Sequence, residues 1–136
     1  FKIKSIKLLK YEPKTSEQKE NIATAFNTLD VSSSAYVVQV IYTLDNTSDS
    51  ELQFNGIKSL VTNYGQQLSM NSGLIDDGVG SAIAAHAHKD EHAQALIKSD
   101  DVSKLNQLTF NLDSISRTDT YETVAEAPES LTIDFK

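Results

Sequence analysis

The sequence predicts an all-β fold, a mostly antiparallel β-sandwich with one short helical insertion, and three observations carry that expectation. Apolar and polar residues alternate with period two over Ala35 to Leu44, over Leu108 to Leu112 and over Leu131 to Phe135, as they do in strands with one buried face. Clusters of turn formers, such as Asp45-Asn46-Thr47-Ser48-Asp49-Ser50 and Asn63-Tyr64-Gly65-Gln66, punctuate the apolar runs at short intervals. The chain has 136 residues, enough for one hydrophobic core and too few for two, so residues 1–136 are read as a single domain.

Taken in order, Phe1 and Ile3 set one apolar phase and Ile6 and Leu8 another, as happens when a bulge inserts one extra residue into a strand. The bulge is expected near Ser5. Thr15 and Gln18 have the spacing of a capping box, and Ile22, Ala25, Phe26 and Leu29 follow on one helical face. This predicts a short helix from Ser16 to Leu29, laid over the core by its apolar stripe. In Ala35 to Leu44 the set Tyr36, Val38, Val40, Tyr42 and Leu44 forms one wholly apolar face, the mark of a central strand. Leu52, Phe54, Ile57, Leu60 and Val61 resume the pattern, and the two runs are expected to pair as a hairpin. Gln66 to Met70 reads as a short return strand. Asn71 to Gly80, with three glycines and the pair Asp76-Asp77, reads as loop. Ser81 to Lys98 is rich in alanine, so local propensity favours helix, while the same residues can also be laid on extended segments.

Composition narrows the function classes. Nineteen acidic residues against twelve basic give a formal charge of −7 and a pI near 4.8, which repels a phosphate backbone and an anionic lipid surface. Nucleic acid is therefore not an expected partner, and Lys2, Lys4, Lys7 and Lys10 read as a solvated strand rather than a binding patch. The absence of cysteine excludes disulfides, thiolate zinc sites and cysteine nucleophiles. No apolar run approaches the roughly 20 residues of a membrane span. Phe1 is not an initiator methionine, so a trimmed N-terminus is expected, with any targeting segment lost upstream.

The run Val37-Val38-Gln39-Val40-Ile41-Tyr42-Thr43-Leu44-Asp45-Asn46-Thr47-Ser48, then Leu52 and Phe54, then Val61-Thr62-Asn63-Tyr64-Gly65, resembles an immunoglobulin-like domain of unknown function found in lipoproteins of Gram-positive bacteria. Similar domains are called immunoprotective extracellular domains. The resemblance extends over most of the chain after residue 35, to the closing Leu131 to Phe135 strand. It implies an immunoglobulin-like antiparallel β-sandwich, export, and attachment at the cell surface, often through a lipidated cysteine upstream of Phe1. It implies no catalytic residues and no cofactor. The alanine-rich Ser81 to Lys98 and the inserted helix depart from the family's pattern. The expected function is thus a non-catalytic extracellular accessory or interaction domain, whose partner is an unidentified protein or cell-envelope component, with any membrane contact made through the lipid anchor.

The alternative, a metal-binding or metal-dependent enzyme domain, rests on the three histidines, all within His86-Ala87-His88-Lys89-Asp90-Glu91-His92. Imidazoles clustered with carboxylates are the ligand chemistry of zinc. As a helix, His88 to His92 matches the H-x-x-E-H pattern. As a strand, His86 and His88 share a face as in an H-x-H-x-D-H motif, but Glu91 stands where that motif needs its third histidine. His86, His88 and His92 are the candidate metal ligands, and one short segment presents two of them on one face but not three. Asp45, Thr47, Asp49 and Glu51 alternate as calcium ligands do, yet Ser50 and Gly56 occupy the positions where an EF-hand needs glycine and glutamate; a turn explains them more simply. Asp76-Asp77-Gly78 and Asp100-Asp101 also read as turns. No serine lies in a G-x-S-x-G context and no phosphate-cradling glycine loop occurs. Tryptophan, the usual platform of sugar-binding sandwiches, is absent, and Tyr36 and Tyr42 sit on the core phase of their strand.

Overall fold

The computed structural model describes residues 1–28, 34–125 and 130–134. In it, β1 (Lys2–Tyr11) leads through α1 (Ser16–Ala25) to the long β2 (Ala35–Asp45). Then come β3 (Leu52–Phe54), β4 (Ile57–Thr62), β5 (Gln67–Met70), β6 (Gly73–Asp76), β7 (Ser81–Ile83) and β8 (His88–Ile97). A 3-10 turn at Ser99–Lys104 precedes β9 (Gln107–Leu112), β10 (Ile115–Arg117), β11 (Thr123–Ala125) and β12 (Leu131–Asp134). The fold is all-β in two sheets. One has eight strands in the order β1-β2-β8-β6-β5-β4-β9-β12 and curls into half a barrel; the other has four, β11-β10-β3-β7. Every pairing is antiparallel except β5 with β6.

The curl brings distant strands together around aromatic rings. Phe1, just before the edge strand β1, lies 4.6 Å from the Tyr42 ring, 5.9 Å from Phe54 and 6.3 Å from Phe110 of β9, between ring centroids. These rings belong to one core that draws Val38, Val40, Tyr42 and Leu44 from β2, Leu60 from β4, Leu108 and Phe110 from β9, and Phe54 and Ile83 from the small sheet. Each fully buried large apolar side chain contributes about 1.5–3 kcal/mol, and the shared core ties the sheets together.

The local signals near the N-terminus hold. The β1 register shifts between Ile3 and Ser5, so the bulge lets Ile3, Ile6 and Leu8 all stand opposite the inward residues Tyr42, Val40 and Val38. Thr15 Oγ1 accepts from the Gln18 amide at 3.1 Å and Gln18 Oε1 accepts from the Thr15 amide at 3.3 Å, which completes the capping box. The position of the helix differs from expectation. None of the residues of α1 is buried, and its C-cap Phe26 is buried together with Ala35 and Val37, outside the main core cluster. Val37 points to the outer face of β2, so the helix end covers the outside of the sheet. The Phe26 carbonyl accepts from Gly73 N at 2.8 Å. Leu29, expected on the same stripe, lies outside the described residues.

Three further expectations are corrected and one segment left open by the sequence is resolved. The strand from Ala35 does not form a hairpin with the run from Leu52: β2 pairs with β1 and, over ten residue pairs, with β8. A ladder of that length outweighs anything the three-residue β3 offers. The run from Leu52 to Val61 is two strands in different sheets, divided at Asn55-Gly56, where Gly56 has φ +100 and a Cβ would collide with Val79. The stretch Asn71 to Gly80, read as loop, contains β6. The alanine-rich segment is extended, as β7 and β8: Ala93 sits between Val40 and Asp76, and Ala95 between Val38 and Leu74. The small side chains suit the crowded inner face of the curled sheet, and pairing on both sides overrides helix propensity.

Candidate functional site

The histidines come first. His86 lies in the turn before β8 with φ 59, exposed, its Nε2 2.7 Å from Asp49 Oδ1. His88 and His92 share the outer, exposed face of β8. Four residues of strand separate them by about 13 Å, whereas two nitrogens on one zinc lie within about 4 Å of each other. Between them Asp90 is already engaged, accepting from Lys4 Nζ at 2.8 Å and Thr43 Oγ1 at 2.7 Å. Those two bonds hold its carboxyl below the usual range. Among the described residues no three His, Cys, Asp or Glu side chains form a metal-ligating group.

Two buried polar clusters lie on the inner side. Asp76 accepts from Tyr42 Oη at 2.5 Å and Gly78 N at 2.9 Å through Oδ1, and from Ile57 N at 2.7 Å through Oδ2. Burial, reinforced by the hydrogen bond to Asp76, pushes the Tyr42 phenol far above its ordinary value. Its ring is 0% exposed, so it meets no ligand. Glu91 accepts from Ser81 Oγ at 2.5 Å and pairs with Lys89 at 2.7 Å. Burial raises the Glu91 carboxyl, but the bonds from Lys89 and Ser81 together with the charge of Lys89 more than offset it, and the net shift is downward. Each set joins separate strands and turns, and its groups are consumed in doing so.

Among the described residues, a cleft of about 420 Å³ opens where the two sheets meet at the end of the half-barrel, within the ~300–1,000 Å³ of small-molecule sites. From the large sheet it takes Leu44 and Asp45 at the end of β2, Leu112 at the end of β9, and Leu131 of β12. The small sheet supplies Leu52, Phe54, Ile83 and Ile115, and Phe1 closes one side. Its polar members are Asp45, Asn46 and Asp113.

Asn46, 4% exposed, braces this cleft. Its Nδ2 donates to the carbonyls of Ser50, Ile83 and Ala84 at 2.7, 2.9 and 3.1 Å, and its Oδ1 accepts from Ser48 N and Oγ. Its backbone N donates to Ala87 O at 2.9 Å. One side chain thus fastens the loop after β2 to the exit of β7. The opposite wall is fixed by Asp113 N donating to Gly56 O at 3.0 Å and Asn55 Nδ2 donating to Ser114 O at 2.7 Å. Sequence patterns mark Leu44, Phe54 and Leu112 as inward-facing, but inward-facing positions that line a cleft carry the same signature as those that fill a core. The order of the loop Asp45 to Ser50 comes from Asn46.

The fold and cleft define an all-β, two-sheet protein with a braced apolar recess between the sheets. No family model matches the chain, and no curated protein matches it. Among solved structures the chain is similar to the X-ray structure of Northeast Structural Genomics Consortium target SoR45, with 8% identity and a TM-score of 0.49, over 97% of this chain and 86% of that one; at that level of likeness nothing about function follows.

Proposed function

We propose that this chain is a non-catalytic interaction domain, immunoglobulin-like in kind, of a bacterial cell-surface lipoprotein, and that it works through the cleft between its sheets. The cleft itself carries the reading: apolar side chains from both sheets form a preformed recess, and Asn46 holds its walls in place before any ligand arrives. The inner acidic and hydroxyl groups, Asp76 with Tyr42 and Glu91 with Ser81, are committed to holding strands together, which fits a binding rather than a chemical role. The resemblance of the Val37 to Ser48 run to exported domains supports the cell-surface placement.

Nile red, a neutral dye that brightens in apolar surroundings, tests the cleft. The wild-type protein is expected to enhance its emission, and Ile115→Trp and Leu52→Trp, which fill the recess from half-buried positions, to lose most of that enhancement while keeping the wild-type circular dichroism spectrum. Emission unchanged by either filled variant overturns the cleft as the binding surface. The full-length reading frame tests the location, since a cytosolic N-terminus without an apolar secretory segment contradicts it.

A further inference from the structure

We propose that the cleft takes an extended segment of another protein, which adds as a strand to the free edge of β12 and sets one bulky apolar side chain in the recess; this rests on the binding reading above and gives it a ligand class. Backbone chemistry points to a polypeptide. Among the described residues β12 pairs with β9 and no strand lies along its other side. In an antiparallel edge strand alternate residues turn their N–H and C=O groups outward, where a further strand can take them up. The side chains of β12 alternate too: Leu131 and Ile133 are half-buried against the core, and Thr132 and Asp134 are exposed. Leu131 also lines the cleft. A strand laid beside β12 therefore brings its inward side chains next to Leu131 and Ile133, at the recess.

The other edges differ. β1 shifts register between Ile3 and Ser5 and carries Lys2, Lys4, Lys7 and Lys10, devices that keep a further strand away, whereas β12 follows β9 in unbroken register and holds no lysine, proline or glycine. β7 turns Ile83 into the same recess, but Asn46 Nδ2 already donates to the carbonyls of Ile83 and Ala84, and Ser81 Oγ donates to Glu91. β11 contributes nothing to the lining. Charge decides between a second copy and a different protein. Two copies each bring a formal charge of −7 and repel, while a basic segment is drawn to such a surface.

The capped peptide Lys-Val-Thr-Leu-Thr-Val-Lys is the probe, since its valines and leucine share one face of a strand. Titration calorimetry is expected to show binding that weakens about 10- to 100-fold when the central leucine becomes alanine, and by a similar factor in the Ile115→Trp protein, whose recess is filled. N-methylation separates strand pairing from simple apolar contact. The N–H groups of alternate residues lie along one edge of a strand, so methylating one set, the threonines or the leucine with its valines, is expected to abolish binding and methylating the other to leave it. In the complex, amide exchange should slow in β12 and not in β1. Equal effects of the two methylated peptides, protection along β1 instead of β12, or affinity untouched by Ile115→Trp and by alanine overturns strand addition beside the recess. A protein that sediments as a dimer and binds no peptide gives the edge to a second copy and overturns it as well. No peptide binding with Nile red still held in the recess removes strand addition and leaves the cleft reading standing; loss of both removes both.

Discussion

Asp76 ends β6 with its carboxylate turned inward, where one side chain serves three donors from β2, β4 and the turn after β6. Removing it strands those donors in the interior, so Asp76→Ala is expected to cost about 3–5 kcal/mol, against about 1–2 kcal/mol for Tyr42→Phe, which removes one bond; urea unfolding of the two variants gives the comparison. The stability that depends on a protonated Tyr42 is complete below the ordinary phenol value of 10.0 and is lost as pH rises above it, because the folded-state value is the higher one. Glu91 works in the opposite direction. Its folded-state value is lowered, so its contribution is present above 4.5 and drains away as pH falls below. Glu91→Gln should therefore flatten the acid limb of the stability profile below about pH 4.5; an acid limb as steep as that of the wild type would show that other carboxylates control it. At the histidines, the separation of His88 and His92 along β8 sets zinc affinity no tighter than about micromolar, or roughly −8 kcal/mol. Nanomolar affinity lost in the His88→Ala, His92→Ala variant would reopen the metal reading.

At the scale of elements, the loop between β2 and β3 shows how one residue substitutes for regular pairing. Asn46 provides the loop with the partners that a hairpin ladder would otherwise supply, linking it to Ser50, Ile83 and Ala84. Asn46→Ala is expected to cost about 2–4 kcal/mol and to raise amide exchange in the β2–β3 and β7–β8 connections ahead of the centre of β2. Exchange rising uniformly over the sheet instead would mean that the loop has no local brace. The edge strand β1 shows a different economy: among the described residues it pairs only with β2, and its lysines and bulge discourage a further strand from adding to it. One of these lysines, Lys4, also reaches Asp90 of β8.

For the whole molecule, one core cluster spans both sheets, so neither sheet is expected to unfold alone. Far-ultraviolet circular dichroism, strand-dominated with a small helical part from α1, and tyrosine fluorescence should trace coincident urea transitions; separate midpoints would show that the four-stranded sheet melts independently. Much of this architecture follows from period-two patterning and capping chemistry, which act over a few residues. Such local chemistry is enough to make the chain strand-rich, to give β2 a wholly apolar face, to place a bulge in β1, and to open a helix at Thr15 and Gln18. Long-range packing is what puts β2 between β1 and β8, keeps the segment from Ser81 extended as β7 and β8, and parts β3 from β4 at Gly56. Local sequence states which face of a strand is buried but not which strand supplies its neighbour, and an alanine-rich segment takes its conformation from whatever pairs with it. The cleft was hidden for the same reason: Leu44, Phe54 and Leu112 are inward-facing in either case, and whether such residues meet side chains or open space depends on how the two sheets are set against each other.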